Sequence, residues 1–265
     1  MKLAMSQVLS GLRILITRPI HQADALATEL KDHGAHPLIH PTIRIQATEG
    51  KIRENALRAV KQLETTDYDG LLLSSTNAVV SFADALTELG ISDAQLNQLT
   101  IFCVGPATER YATAQGMTKT HLASEFTADG VVELVRNHYG DDLPSKTFLF
   151  PRARNGRNNL IRGLEAKNAT VNVAALYETV PIEEGPTLPA EIDWVTFTSP
   201  SSIEGFIHSY GTKSLTKIAC IGPVTAQQLA RYGLVATVVG KQATIPKLVE
   251  AIVDYHKELQ KQSGC

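Results

Sequence analysis

The chain has 265 residues, 43% of them hydrophobic and 20% charged, with a formal net charge of −2. That length accommodates two domains, each with its own core. The near-neutral charge gives no general attraction to nucleic acid or to an anionic membrane, and no apolar run approaches the ~18 residues of a membrane span.

Short apolar runs alternate with helical patterns from one end to the other. "RILITRP" (13–19) reads as a strand ending in a turn, and 21–35 as an amphipathic helix closed by Gly34. "HPLIHPTIRI" is a second strand that continues past Pro41 as an extended connector. A helix over about 50–64 precedes the strand "DGLLLSS" (69–75), a helix over 77–90 and the strand "IFCVG". A helix over 107–116, the short strand "THLAS" and a helix over 128–140 follow. "TFLFPRA" (147–153) is a strand, 158–168 a helix, and "TVNVAALYETVP" a strand that again runs on into a connector. The last third repeats the format, closing with "ATVVG" and a helix over 244–259. Strands separated by helices of this length mean βαβ units and parallel sheets.

The chain also repeats itself. "IFCVGPATERYATAQG" (101–116) returns as "IACIGPVTAQQLARYG" (218–233), with Gly105/Gly222, Pro106/Pro223 and Thr108/Thr225 shared. "DGLLLSSTNAVVSF" at 69 matches "DWVTFTSPSSIEGF" at 193, which sets Ser75 over Ser199. The "TRP" and "PRA" strands place Arg18 over Arg152. The order differs, however: one copy is continuous, whereas the other begins at the amino terminus and resumes near the end. The expected organisation is a discontinuous α/β domain, 1–42 and 180–265, around an inserted α/β domain, 46–175. The two crossings, near 41–46 and 175–181, would lie side by side as a hinge. In such sheets ligand-facing loops lie at the carboxyl ends of the strands; if the domains face each other, the duplicated turns line one cleft.

Thr108 and Thr225 open helices after a glycine turn and read as N-caps, worth about 1 kcal/mol each. The same turns offer free backbone N–H groups to an anion. Ser75 and Ser199 have the same double reading. The stretch 143–164 holds Lys146, Arg152, Arg154, Arg157 and Arg162 and no acid before Glu165; it is either a solvated face or a dock for carboxylates or phosphates. His33, His36 and His40 do not share a helical face and have no completing ligand, so a metal is not expected. No Gly-rich nucleotide loop appears. Cys103 and Cys220 sit in equivalent apolar strands and read as buried, reduced thiols of a cytoplasmic protein, with Cys265 in the tail. The amino terminus is not the pattern of a secretory signal.

"ILITRP", "LLLSSTNAV", "CVGPATERYATAQG", "LFPRARNGR", "ALYETVP", "VTFTSPSSI" and "CIGPVTAQQLARYG" together, in this order, resemble the uroporphyrinogen-III synthase family over about 11–255. The resemblance implies two flavodoxin-like parallel-sheet domains joined by a two-stranded ladder. It implies a cytoplasmic, monomeric lyase of tetrapyrrole biosynthesis with no cofactor or metal. Its substrate would be hydroxymethylbilane, a linear tetrapyrrole with eight carboxylates; its one protein contact would be a transient one with the preceding pathway enzyme. Loss of the terminal hydroxyl as water gives an azafulvene, the substituted carbon of ring D attacks to form a spiro intermediate, and this fragments and recloses with ring D inverted. By match to the family's motifs, Tyr177 would assist departure of the hydroxyl and project between the domains. Ser75, Thr108, Ser199 and Thr225 would bind substrate, as would Arg18 and Arg152, where the family varies. Two other classes fit the α/β pattern: an exported small-anion binding protein, and a phosphate-substrate enzyme on a flavodoxin-like fold.

Overall fold

The computed structural model describes residues 7–65, 68–92, 96, 99–183, 187–212, 215 and 217–263; Cys265 and the start of the amino-terminal extension lie outside them. The elements run β1 (Arg13–Ile16), α1 (Ile20–Asp32), β2 (His36–Ile39), β3 (Ile43–Ala47), α2 (Gly50–Lys61), β4 (Gly70–Leu73) and α3 (Thr76–Leu89). Then come β5 (Thr100–Cys103), α4 (Pro106–Ala114), β6 (Thr120–Leu122), α5 (Ala128–Tyr139), β7 (Thr147–Ala153), α6 (Asn159–Glu165) and β8 (Thr170–Pro181). The chain finishes with β9 (Trp194–Phe197), α7 (Pro200–Tyr210), β10 (Lys217–Cys220), α8 (Pro223–Ala230), β11 (Val238–Val239) and α9 (Ile245–Ser263). Among the described residues, no helix is long and apolar enough to cross a membrane.

The chain divides into two compact units, 1–44 with 179–265, and 45–178. In the first, the sheet order is β11-β10-β9-β1-β2, parallel throughout, so the amino-terminal strand lies between β2 and β9. In the second the order is β3-β8-β7-β4-β5-β6, with β8 to β6 parallel. Setting β1, β2, β9, β10 and β11 against β7, β8, β4, β5 and β6 makes the two orders agree over five strands, with β3 added at the edge of the second sheet.

Each sheet is buried on both faces. Leu71 and Leu73 face one apolar cluster and Leu72 the other, and all four residues of β4 are buried. This is why the strands read as continuous apolar runs without alternation. In the first unit, Ile14 and Ile16 pack with α1 and α9, while Leu15 packs with Phe197, Phe206 and Leu229. Burial pushes the thiols of Cys103 and Cys220 up to about 12.

Several boundaries moved. The strand expected over "HPLIHPTIRI" breaks at His40, where Nε2 meets the Tyr210 hydroxyl at 2.8 Å, and resumes as β3. The helix expected over 158–168 stops at Glu165, followed by a turn with Asn168 at φ 61. "ATVVG" forms only a two-residue strand.

Two histidines of the first unit, His40 buried and His256 half-buried, share a pH consequence. The Trp194 indole N–H donates to His256 Nε2 at 2.9 Å, which requires that nitrogen to be unprotonated. Burial lowers the affinity of both His40 and His256 for a proton below the ordinary 6.5, helped at His256 by Lys217 and opposed by Asp193. A histidine whose value falls on folding contributes stability that is complete above its unfolded value and is lost as pH drops through it. The denaturation midpoint is therefore expected to fall between about pH 7.5 and about pH 5, and less steeply in His256→Gln. Equal slopes for parent and variant in a urea series across that window would remove His256 from the account.

Candidate functional site

Ser75 follows β4 with extended backbone (φ −163, ψ 161), and its Oγ accepts the Ala78 N–H at 3.1 Å, capping α3. Ser199 repeats this after β9 (φ −158, ψ 157), with Oγ accepting from Ser202 N at 3.2 Å. Both serines are therefore side-chain caps at the carboxyl edge of their sheets.

The threonines are different. α4 and α8 begin at Pro106 and Pro223, with the extended residues Gly105 and Gly222 in the cap position, and neither cap uses a side chain. The N-cap reading of Thr108 and Thr225 is thus corrected: each lies two residues past the proline and is buried. Proline fits the first helical position, where its missing N–H costs nothing and its fixed φ is already helical. That moves the start of each helix three residues earlier than a threonine cap requires.

Arg18 follows β1 and its NH2 donates to Gln22 Oε1 at 3.2 Å; the adjacent Thr17 Oγ1 donates to the Thr196 carbonyl at 2.8 Å. Thus the first unit gathers Arg18, Ser199, Gly222 and Thr225 at the strand ends of β1, β9 and β10. In the second unit, Arg152, Ser75, Gly105 and Thr108 hold the corresponding places on β7, β4 and β5.

Tyr177 lies in β8 beside this second set. Its register with β7 slips: Arg152 faces Ala175 but Ala153 faces Tyr177, leaving Leu176 as an extra residue. Consecutive residues of an unbroken strand point to opposite faces, yet Leu176 and Tyr177 both enter the core cluster of α3 and β4. The bulge turns the tyrosine inward. The residue is only 5% exposed, so its ring is held within the core of the second unit. Its hydroxyl lies 2.9 Å from Ser75 Oγ. Burial raises its proton affinity, opposed by Ser75, Arg152 and the Ala153 backbone. Ser75 Oγ, already the acceptor for Ala78, thus links a helix amino terminus to the phenol.

Arg152 completes the group. It is 5% exposed, donates from Nε to its neighbour's carbonyl, Ala153 O, at 3.2 Å and from NH1 to Asn158 Oδ1 at 2.8 Å, and lies over the Phe150 ring. The basic stretch read from the sequence does not form one patch. Lys146 pairs with Asp69 at 3.0 Å at the other end of β7, roughly 20 Å from Arg152 at the rise of a strand, and Arg154 pairs with Glu178 at 3.4 Å. Asn158 and the bulge at Leu176 escaped the sequence reading; the consecutive apolar residues in "AALY" are the only trace the bulge leaves there.

The arrangement can hold carboxylates at helix amino termini and at Arg152, and can present a phenolic proton from a water-poor site. A family model described as "Uroporphyrinogen-III synthase HemD" matches residues 24–250. A "Porphyrin biosynthesis protein HemD" from Ruminiclostridium josui is 27% identical over 94% of the chain, which spans half the length of that relative. A "Uroporphyrinogen-III synthase" from Synechococcus elongatus is 28% identical, covering 84% of this chain and 88% of its own. Among solved structures, a mutant uroporphyrinogen III synthase from Thermus thermophilus superposes with a TM-score of 0.61 at 18% identity, covering 95% of this chain and all of that one. That likeness concerns the fold, a mixed α/β architecture with parallel sheets.

Proposed function

Because the chain belongs to the uroporphyrinogen-III synthase family, we propose that it closes hydroxymethylbilane to uroporphyrinogen III with inversion of ring D and loss of water, a cyclising lyase reaction of tetrapyrrole biosynthesis. The observation that carries this reading is the family match across 24–250. The chemistry of the strand ends agrees with it, since both units end on cationic and N–H donors suited to a substrate with eight carboxylates.

In this reading Tyr177 donates its phenolic proton as the hydroxyl leaves, while the pyrrole nitrogen's electron pair forms the azafulvene and Ser75 stabilises the phenolate left behind. Water departs, ring D attacks through its substituted carbon, and the spiro intermediate fragments and recloses, the proton lost as ring D regains its aromaticity returning to Tyr177. The reactivity resides in the substrate, so the protein's task is chiefly position. Arg152 and Arg18 receive carboxylates, and the turns at Ser75, Thr108, Ser199 and Thr225 add backbone donors. The buried threonines serve by shaping those turns. Each unit is flavodoxin-like in this reading, supported by the 2-1-3-4-5 order of the first sheet and by the same order, circularly permuted, in five strands of the second. The neighbouring strands β3 and β8 are the linking ladder. We place the protein in the cytoplasm as a monomer.

The test is to incubate the protein with hydroxymethylbilane and separate the porphyrinogen isomers. Uncatalysed closure gives the uninverted type I isomer, so type III product is the expected result, and type I alone would overturn the proposal.

A further inference from the structure

Arg152 is a buried cation whose immediate partners are all uncharged. Its guanidinium bonds the Ala153 carbonyl and the Asn158 amide oxygen, and among the described residues no carboxylate lies within ion-pair distance of it. The carboxylate next in the chain to Tyr177, that of Glu178, is engaged elsewhere: it pairs with Arg154 and accepts from Gln46 Nε2 at 2.9 Å. A buried charge is ordinarily paired with an opposite one.

Asn158 occupies the position where it should be doing something else. It is the residue before α6, and asparagine is among the favoured caps because its oxygen can accept an N–H of the first turn. No such bond forms; the side chain turns to Arg152 instead. The loop is also shaped around the guanidinium. A Cβ at Gly156 would sit 2.7 Å from Arg152 NH2 and 3.0 Å from Nε, so any larger residue there displaces the guanidinium.

We propose that Asn158 is a positioning residue: it fixes the Arg152 guanidinium through an uncharged acceptor and so leaves the positive charge for a carboxylate of the substrate. The inference rests on the synthase reading and deepens it. An aspartate at 158 would bond Arg152 equally well and neutralise it, which gives the idea a signature that a purely structural role lacks. Arginine and carboxylate pair in a two-pronged geometry, and an internal carboxylate competes directly for those prongs.

The experiment measures kcat, KM for hydroxymethylbilane and melting temperature for the whole chain and for Asn158→Asp, Asn158→Ala and Gly156→Ala. Asn158→Asp is expected to raise KM about tenfold, the scale of losing one charge-assisted bond, with kcat little changed and melting temperature equal or higher. Asn158→Ala and Gly156→Ala, which loosen or displace the guanidinium, should raise KM less. A contact made equally in substrate and transition state moves KM and spares kcat. Parental KM in Asn158→Asp, with type III product still formed, overturns this inference alone. A parent protein that yields only type I product overturns the synthase reading and this inference with it.

Discussion

Tyr177→Phe is expected to slow formation of type III product by tens-fold while shifting the melting temperature little. The phenol lies 2.9 Å from Ser75 Oγ and is buried, so removing its oxygen deletes one hydrogen bond, worth about 1 kcal/mol. Ser75 keeps its bond from Ala78, so α3 stays capped. General-acid assistance is typically worth 10²–10⁴-fold, and a substrate that ionises readily needs the lower end or less, about 30–100-fold. The product should remain type III, because the groups that orient the chain ends are untouched. The rival account is that Tyr177 serves as a core side chain at the β8 bulge. It predicts full activity in Tyr177→Phe and loss only in Tyr177→Ala, together with a cavity cost of several kcal/mol in the latter. Single-turnover rates for both variants decide between the two.

Gly205→Ala is expected to be the most damaging small substitution in the first unit. Gly205 lies in α7, where a Cβ would come within 2.3 Å of the Thr42 carbonyl oxygen and 2.7 Å of Ile43 Cγ2. That carbonyl also accepts from Ile182 N at 3.0 Å, and Ser209 Oγ of α7 donates to Ile182 O at 2.8 Å. The helix therefore packs on the segments where the chain leaves the unit and returns to it. Backbone cannot swing aside as a side-chain tip can, so the cost should reach about 3 kcal/mol, the upper end for overpacking. That is a drop of roughly 10 °C in melting temperature for a unit of this size. A midpoint within a degree of the parent's would mean that α7 shifts freely.

Much of this was legible beforehand, for identifiable reasons. The duplication survives because the strand-end turns demand particular residues: a proline at the first helical position of α4 and α8, and a serine able to cap at α3 and α7. The strands were legible as apolar runs because both faces of each sheet are covered. What escaped depends on contacts distant in sequence. Only the consecutive apolar residues of "AALY" hint that the register slips at Leu176, and it is that slip which buries Tyr177. The threonine caps were misplaced because the glycine–proline pair had already started the helix. Asn158 was only the first residue of an expected helix, and Arg152, across the turn from it, explains its use.

The position of β1 has a consequence for how the chain is made. Across the centre of the first sheet Thr17 Oγ1 donates to the Thr196 carbonyl and Thr196 Oγ1 to the Leu15 carbonyl, so β1, once it has left the ribosome, waits for β9, about 180 residues later. At 5–20 residues per second this is roughly 10–40 s. During that interval 45–178 is already synthesised in full, with every strand of its own sheet available. Meanwhile β1, α1 and β2 hold an apolar face that has nothing to cover it. Slow loop closure over so long a separation would make the discontinuous unit the later of the two to mature.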